Sequence, residues 1–336
     1  MKPKLLITIL LTSLCIVSSQ FVFALDTNSS KSLSDEPKHI TLTAIEYLQL
    51  MRKAYKELNY ESIYLNTLQH KIAPKQLIHG VIDGNEIAYF RYLNGAMRES
   101  LQYKGEISFF EQGAQSYSLK SAHNQRVFSD ITNLDFVKGQ NFYEYIILGK
   151  SRIAGKQAIA IRIVSKDDYR YSYIIWLDMR SCLPLRLDTI NKSNLLLEQV
   201  MVVSLHVSKH VNPWLAKLSK QQLPQLLHFP EDSVKTTPKW KVNWLPAGFK
   251  VVKNNQHKLV MYKNEPISYI LITDGVANAS IYISEKKVVL KAEQKVIQRG
   301  ATILYSYLRD DIEVNVVGDI PVETAKRLVE SITEVD

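Results

Sequence analysis

Tyr169-Arg170-Tyr171-Ser172-Tyr173-Ile174-Ile175-Trp176-Leu177-Asp178 is the stretch that sets the fold class. Successive side chains of a strand point to opposite faces, so Tyr169, Tyr171, Tyr173, Ile175 and Leu177 share one face and Arg170, Ser172, Ile174, Trp176 and Asp178 the other. The alternation predicts a strand with one apolar, aromatic side. Working outward, Asp167-Asp168 reads as the preceding turn, and Gln157–Val164, Glu106–Glu111 and Leu195–Ser208 repeat the period of two. In the last of these, Leu195, Leu197, Met201, Val203, Leu205 and Val207 are expected on one face, interrupted only by Gln199. Turn signals at Asp83-Gly84-Asn85, Asn94-Gly95 and Lys104-Gly105 separate further runs. Together they predict a long antiparallel sheet between Tyr60 and about Ser208.

Before that sheet the period changes. Thr43-Ala44-Ile45-Glu46 is a capping box, so a helix should begin at Ala44. Its Tyr47, Leu48, Met51, Ala54, Tyr55 and Leu58 form one apolar stripe, expected to be core. About eight strands curling around one helix can leave room for a single apolar ligand. Tyr171, Tyr173, Ile175, Met201, Val203 and Leu205 are the candidate cavity wall, although each reads first as ordinary core.

Beyond the sheet, Pro213, Pro224, Pro230 and Pro238 punctuate a segment whose only helical hint is Trp214–Leu227. Strands are predicted near Ile267–Thr273, Ser280–Ser284, Thr302–Leu308 and Ile312–Val317. A closing helix opens at Pro321, with Ala325, Leu328, Val329 and Ile332 on one stripe. Trp244 is expected to be buried in this unit. At the other end, Lys2 and Lys4, an apolar run from Leu5 to Val17 and Val22-Phe23-Ala24 read as an export signal cleaved after Ala24. The run falls short of the ~20 residues that span a bilayer. The divisions expected are therefore a signal peptide at 1–24, a lead-in at 25–40, a large domain at 41–211, a linker at 212–238 and a small α+β domain at 239–336. A length of 336 residues suits two domains.

Little in the chain suggests chemistry. There is no G-x-S-x-G, H-E-x-x-H, phosphate-binding loop or C-x-x-C, and two cysteines exclude a disulfide framework and an all-cysteine zinc site. His206 and His210 have the spacing of a zinc helix but fall in a strand pattern, where that spacing does not bring the rings together. Asp167-Asp168 and Asp310-Asp311 read as hairpin turns rather than catalytic pairs, and Cys182 as a lone buried thiol. The reading is a non-enzyme with no cofactor and no metal. Charge says more. Lys+Arg 42 against Asp+Glu 33 gives +9, and between Lys235 and Asn264 stand seven lysines and no acid: Lys235, Lys239, Lys241, Lys250, Lys253, Lys258 and Lys263. They read either as a solvated surface or as attraction to an anionic partner such as lipid phosphates or an acidic peptide. A nucleic-acid partner is not expected, since no stacking platform accompanies the basic residues.

The strand Tyr169–Asp178, followed by Leu183-Pro184, Arg186, Asp188 and Leu197-Glu198-Gln199, resembles the signature of the RseB/MucB family of periplasmic regulators of the sigma-E envelope-stress response. Trp244-Leu245-Pro246-Ala247-Gly248-Phe249, Asp274-Gly275, Gln298-Arg299-Gly300 and Val316 to Leu328 match its carboxy-terminal pattern in order and spacing; the linker and Asn254–Lys263 depart from it. The resemblance implies an α+β protein: a large LolA/LolB-like curved antiparallel sheet, a half-barrel packed on helices, followed by a small α+β domain. It implies a periplasmic location and a partner, the periplasmic region of the anti-sigma factor RseA, shielded from the site-1 protease DegS. It further implies release when lipopolysaccharide or lipoprotein acyl chains occupy the large domain. A periplasmic lipid or lipoprotein carrier using the same half-barrel is the alternative, and self-association as a homo-oligomer stays open.

Overall fold

The computed structural model describes residues 42–68, 71–120, 127–227, 238–258, 266–285, 293–309 and 311–335. The expected signal peptide 1–24, the lead-in 25–40 and residues 228–237 of the linker lie outside them. The described chain from Leu42 onward belongs to one compact unit. It opens with α1 (Ala44–Glu57), whose capping box is complete: Glu46 N donates to Thr43 Oγ1 at 3.3 Å and Thr43 N to Glu46 Oε2 at 2.7 Å. Leu48, Met51 and Tyr55 on its inner stripe are buried.

Six strands follow as a meander, β1 (Asn59–Leu68), β2 (Lys71–Ile82), β3 (Asn85–Tyr92), β4 (Arg98–Tyr103), β5 (Glu106–Glu111) and β6 (Tyr117–Lys120). Asp83-Gly84 and Lys104-Gly105 make two-residue hairpin loops with positive φ at both positions, 49° and 75°, then 50° and 78°. This is the type I′ geometry that matches strand twist. Two short helices, α2 (Ser129–Asn133) and α3 (Phe136–Gly139), lead to a second meander: β7 (Tyr143–Ile153), β8 (Lys156–Ser165), β9 (Ser172–Asp178), β10 (Pro184–Ile190) and β11 (Leu196–Ser208). β11 pairs with β1, so the two meanders join into one antiparallel sheet of eleven strands, ordered β6-β5-β4-β3-β2-β1-β11-β10-β9-β8-β7. The sequence had suggested about eight. The sheet is open, because its end strands β6 and β7 do not pair with each other; on the outer side of β6, Ser118 bridges to Leu226.

The helices cover the inner face of the β7–β11 half. Leu48, Met51, Tyr55, Phe128, Ile131 and Phe136 pack there with Ile161, Ile163 and Ile175, all nearly without exposure. Each such buried aliphatic contributes roughly 1.5–3 kcal/mol. On the opposite, outer face of β2–β4 a smaller cluster of Ile78, Ile87, Tyr89 and Leu101 is covered by Leu215 of α4 (Pro213–Leu218), the first part of the expected linker.

Two sequence expectations need correction. The strand predicted from Tyr169 begins at Ser172, because Tyr169-Arg170-Tyr171 leaves the ladder to meet the C-terminal part of the chain. In β11 the face assignment slips. Ile63 pairs with Ser204 but Tyr64 pairs with Val202, so Val203 is the extra residue of a bulge. The buried set is Val200, Val202 and Leu205, while Val203 is 43% exposed and Met201, opposite Leu65 and Arg186, lies on the outer face. A one-residue shift turns every neighbouring side chain over, which simple alternation cannot foresee.

The remaining chain forms a second sheet, β13 (Lys250–Lys258), β14 (Pro266–Thr273), β15 (Asn278–Glu285), β16 (Glu293–Arg299), β17 (Thr302–Arg309) and β18 (Ile312–Gly318), in the order β13-β14-β15-β18-β17-β16. α5 (Val322–Glu330) packs Ala325, Leu328 and Val329 on it, and β12 (Trp240–Val242) pairs with β19 (Ile332–Glu334). Pro321 is the N-cap and Ile332 lies beyond the helix, although it is 1% exposed in the same core. Trp244 is only partly buried and stands edge-on to Tyr169 at the seam between the sheets.

That seam centres on Arg170, whose side chain is fully buried. Nη1 donates to Asp274 Oδ2 at 2.8 Å, Nε and Nη2 to the Asp167 carboxylate at 3.1 and 3.0 Å, and Nη2 also to Ala247 O. Tyr143 Oη donates to Asp274 Oδ2 at 3.1 Å. The rings of Phe249, Phe142 and Tyr143 surround the guanidinium at 5.2, 5.3 and 5.5 Å. Gly248, at φ +83°, permits this approach, since a Cβ there would lie 2.5 Å from the Phe142 ring.

Removing one partner of a buried ion pair strands the other charge, so Asp274→Ala is expected to cost ~3–5 kcal/mol in urea unfolding of the full chain. An unchanged midpoint would show that the pair carries no cohesion. The bulge makes a second prediction. Val203→Lys should leave stability within about 0.5 kcal/mol, whereas Val202→Asp should cost several kcal/mol, and equal effects would restore the uninterrupted alternation.

Candidate ligand cleft and the domain seam

The inner face of β1–β5 is only partly covered: Tyr60, Leu77 and Ala88 join the helices' core, and beyond them the face opens. Tyr64, Asn66, Lys75, Phe90, Tyr92 and Phe109 line a groove of about 420 Å³. Cross-strand register puts them together: Tyr64 lies opposite Lys75, and Lys75 opposite Tyr92. Phe90 and Tyr92 meet edge-to-face at 5.5 Å. Lys75 Nζ sits 4.9 Å from the Tyr92 ring and Arg98 stacks on it at 4.0 Å, so two cations border an aromatic floor, with Glu99, Glu111 and Glu198 also in the lining. Such a surface suits an amphiphile, taking apolar chain on the rings and polar groups at the rim.

A second, inner chamber of about 140 Å³ lies against Phe128, Ile131, Tyr173 and Leu187. Val127, Glu198 and Val200 border both spaces. Glu198 stands between them, and burial holds its carboxyl above the usual range, partly offset by the hydrogen bond from Asn66 Nδ2 at 3.1 Å. The same amide leaves Asn66 Oδ1 buried with no partner. Far from the groove, Cys182 is half-buried, and burial raises its thiol pKa. Among the described residues no group of three or more His, Cys, Asp or Glu side chains is placed to hold a metal.

Of the six candidate wall residues, Tyr173 borders the inner chamber. Ile175 and Leu205 are packed core, and Met201 and Val203 face outward. Tyr171 is buried at the seam, its hydroxyl donating to Ile320 O at 3.0 Å. The groove residues of β1–β5 escaped the sequence reading, yet a signal was there. Tyr64 and Asn66, with Lys75, Phe90 and Tyr92, mix aromatic and polar groups on one face. A sealed core has no use for that mixture.

The lysines do not form one patch. Lys239 pairs with Glu285 and, at 3.9 Å, with Glu334, and hydrogen bonding to Glu285 raises its pKa. Lys241 lies in β12, while Lys250 and Lys253 are exposed on β13, the edge of the second sheet. Lys258 ends that strand, and Lys235 and Lys263 lie outside the described residues.

Comparison with known proteins sets this architecture in context. Residues 43–227 match the family model for the MucB/RseB N-terminal domain and residues 234–333 that for the MucB/RseB C-terminal domain. The Sigma-E factor regulatory protein RseB of Salmonella typhimurium is 32% identical over 285 residues, spanning 85% of this chain and 89% of its own. The Sigma factor AlgU regulatory protein MucB of Pseudomonas aeruginosa is 23% identical over 306 residues, 90% of this chain and 94% of its own. Among solved structures, MucB in complex with MucA(peri) superposes with a TM-score of 0.69 at 23% identity, covering 88% of this chain and all of that one. Both halves are thus matched in order, by relatives named as regulatory proteins, and the chain belongs to the MucB/RseB family.

Proposed function

We propose that this protein is a periplasmic stress-sensing regulator. It holds the periplasmic region of a membrane-bound anti-sigma factor of the RseA or MucA kind, shields it from the site-1 protease DegS, and lets go when lipopolysaccharide or lipoprotein acyl chains enter the large domain. The observation that supports this reading most is the match of both sheets to MucB/RseB regulators, joined to the groove of aromatic rings flanked by Lys75 and Arg98. No helix of the described residues is long and apolar enough to cross a membrane. Residues 41–211 would carry the lipid response, 212–238 the connection and 239–336 the remainder of the grip.

The energetics are adequate. A buried methylene contributes ~0.8 kcal/mol, and inverting a 99:1 equilibrium takes about 5.5 kcal/mol of preference for the released form. Partial burial of one acyl chain supplies that. A carrier would need no second sheet locked to the first through a buried arginine, and this favours the regulator.

The purified chain is expected to form a complex with an RseA-type periplasmic segment at micromolar concentration, to protect it from site-1 cleavage, and to lose it on titration with lipopolysaccharide. Failure to form any complex removes the proposal. A protein that instead hands acylated cargo to a membrane acceptor after deletion of 239–336 is a carrier. If the exposed lysines steer an acidic partner, Lys250→Glu with Lys253→Glu should slow association about tenfold at low salt and much less at high salt. Identical stopped-flow traces for wild type and the double variant would place the partner elsewhere.

A further inference from the structure

The two large sheets end in β6, β7, β13 and β16, and the first three of these are blunted. β6 is four residues long, and Ser118 on its outer side bridges to Leu226. A bulge interrupts β7 between Ile147 and Gly149 and β13 between Val251 and Lys253, and β13 carries Lys250, Lys253 and Lys258 besides. Such devices keep an open row of peptide groups from pairing with another chain. β16 has none of them. It pairs with β17 in unbroken register from Glu293 opposite Leu308 to Arg299 opposite Thr302, contains no proline, and has no described strand on its other side. α5 packs on β17 and β18 and leaves a groove of about 360 Å³ between itself and β16, with Gln294 on one side and Lys326 and Val329 on the other. Every side chain of β16 is exposed, Val296 by 46% and Ile297 by 63%, so apolar surface stands in water on both faces of this edge.

The strand itself, Glu293-Gln294-Lys295-Val296-Ile297-Gln298-Arg299, is complementary to its own reverse. When two copies lie antiparallel with a two-fold axis through Val296, each Glu293 falls opposite Arg299, each Gln294 opposite Gln298, and Val296 opposite its counterpart. Directly opposed residues share a face of the sheet, so the two ion pairs form on the outer face and the valines meet on the face that carries α5. Ile297 lies diagonal to its counterpart on the outer face, close enough for the side chains to touch. Parallel pairing in register would stack Glu on Glu and Arg on Arg instead. We propose that β16 is an interface between two copies of this chain, joined edge to edge about Val296 so that their second sheets run on as one. A second copy fits better than a foreign strand, because a two-fold contact demands this self-complementarity and a foreign strand does not. The proposal is independent of the acyl-chain reading.

Sedimentation velocity of the purified full chain reads the association directly. Wild type is expected to dimerise at micromolar concentration. Val296→Lys sets two lysines face to face on the axis and is expected to leave only monomer. Glu293→Arg and Arg299→Glu each bring like charges together at both ends, which should raise the dissociation constant about tenfold. An equimolar mixture of these two variants re-forms both ion pairs between unlike chains and is expected to recover the wild-type affinity, which also shows that each variant is folded. A wild-type chain still monomeric at about 100 μM overturns the proposal. So does a dimer indifferent to all three substitutions. If the substitutions weaken only a complex with an RseA-type periplasmic segment, the edge takes a strand of that partner and the second copy is excluded.

Discussion

A single guanidinium, removed from water and shared between two carboxylates, holds the molecule to one arrangement. Burial opposes the charge on Arg170, yet its hydrogen bonds to Asp167, with Tyr143 and Asp274 nearby, more than compensate, and its pKa stands above the ordinary value. A buried ion pair is weak evidence of net stability, because desolvation consumes most of the Coulombic gain. What it constrains is geometry, because Nε and Nη1 of the guanidinium each have one acceptor in reach and Nη2 has two. Any sliding of one sheet on the other would leave a charge facing the rings of Phe142 and Phe249. The apolar contacts of the seam tolerate small shifts, and this geometry does not.

Around that fixed point the division of labour follows from side-chain chemistry. The β7–β11 half carries Ile, Leu and Tyr on its inner face and is sealed by helices. The β1–β5 half carries Ser, Asn and Lys among its aromatics and is left partly open. A sheet whose inner face is uniformly greasy must be covered, whereas one with polar groups interspersed can face a cavity without the penalty of stranded donors and acceptors.

Much of this was legible before any coordinates. The capping box at Thr43 and the period of two in Glu106–Glu111 and Gln157–Val164 emerge almost residue for residue, because both depend on local chemistry. What escaped reading was non-local. Arg170 looked like an outward residue of a strand, and nothing near it in sequence announces Asp274. Val203 looked inward until a bulge, fixed by pairing with a strand some 140 residues earlier, turned it over. The most apolar positions do not line the groove: Ile175 and Leu205 are packed core, and Met201 and Val203 face outward. Regular alternation shows which faces exist, and only long-range contacts show which of them remain uncovered.

The eleven strands do not close on themselves, since β6 and β7, at the two ends of the sheet, are not paired with each other. A closed barrel has its diameter fixed by strand number and stagger, so admitting a bulkier guest means breaking ladder hydrogen bonds. An unclosed sheet has another option. It can uncurl slightly, spreading the strain as small changes of twist over many strands while every rung stays intact. The width of the groove is thereby set by the curl of the backbone as a whole rather than by any one side chain.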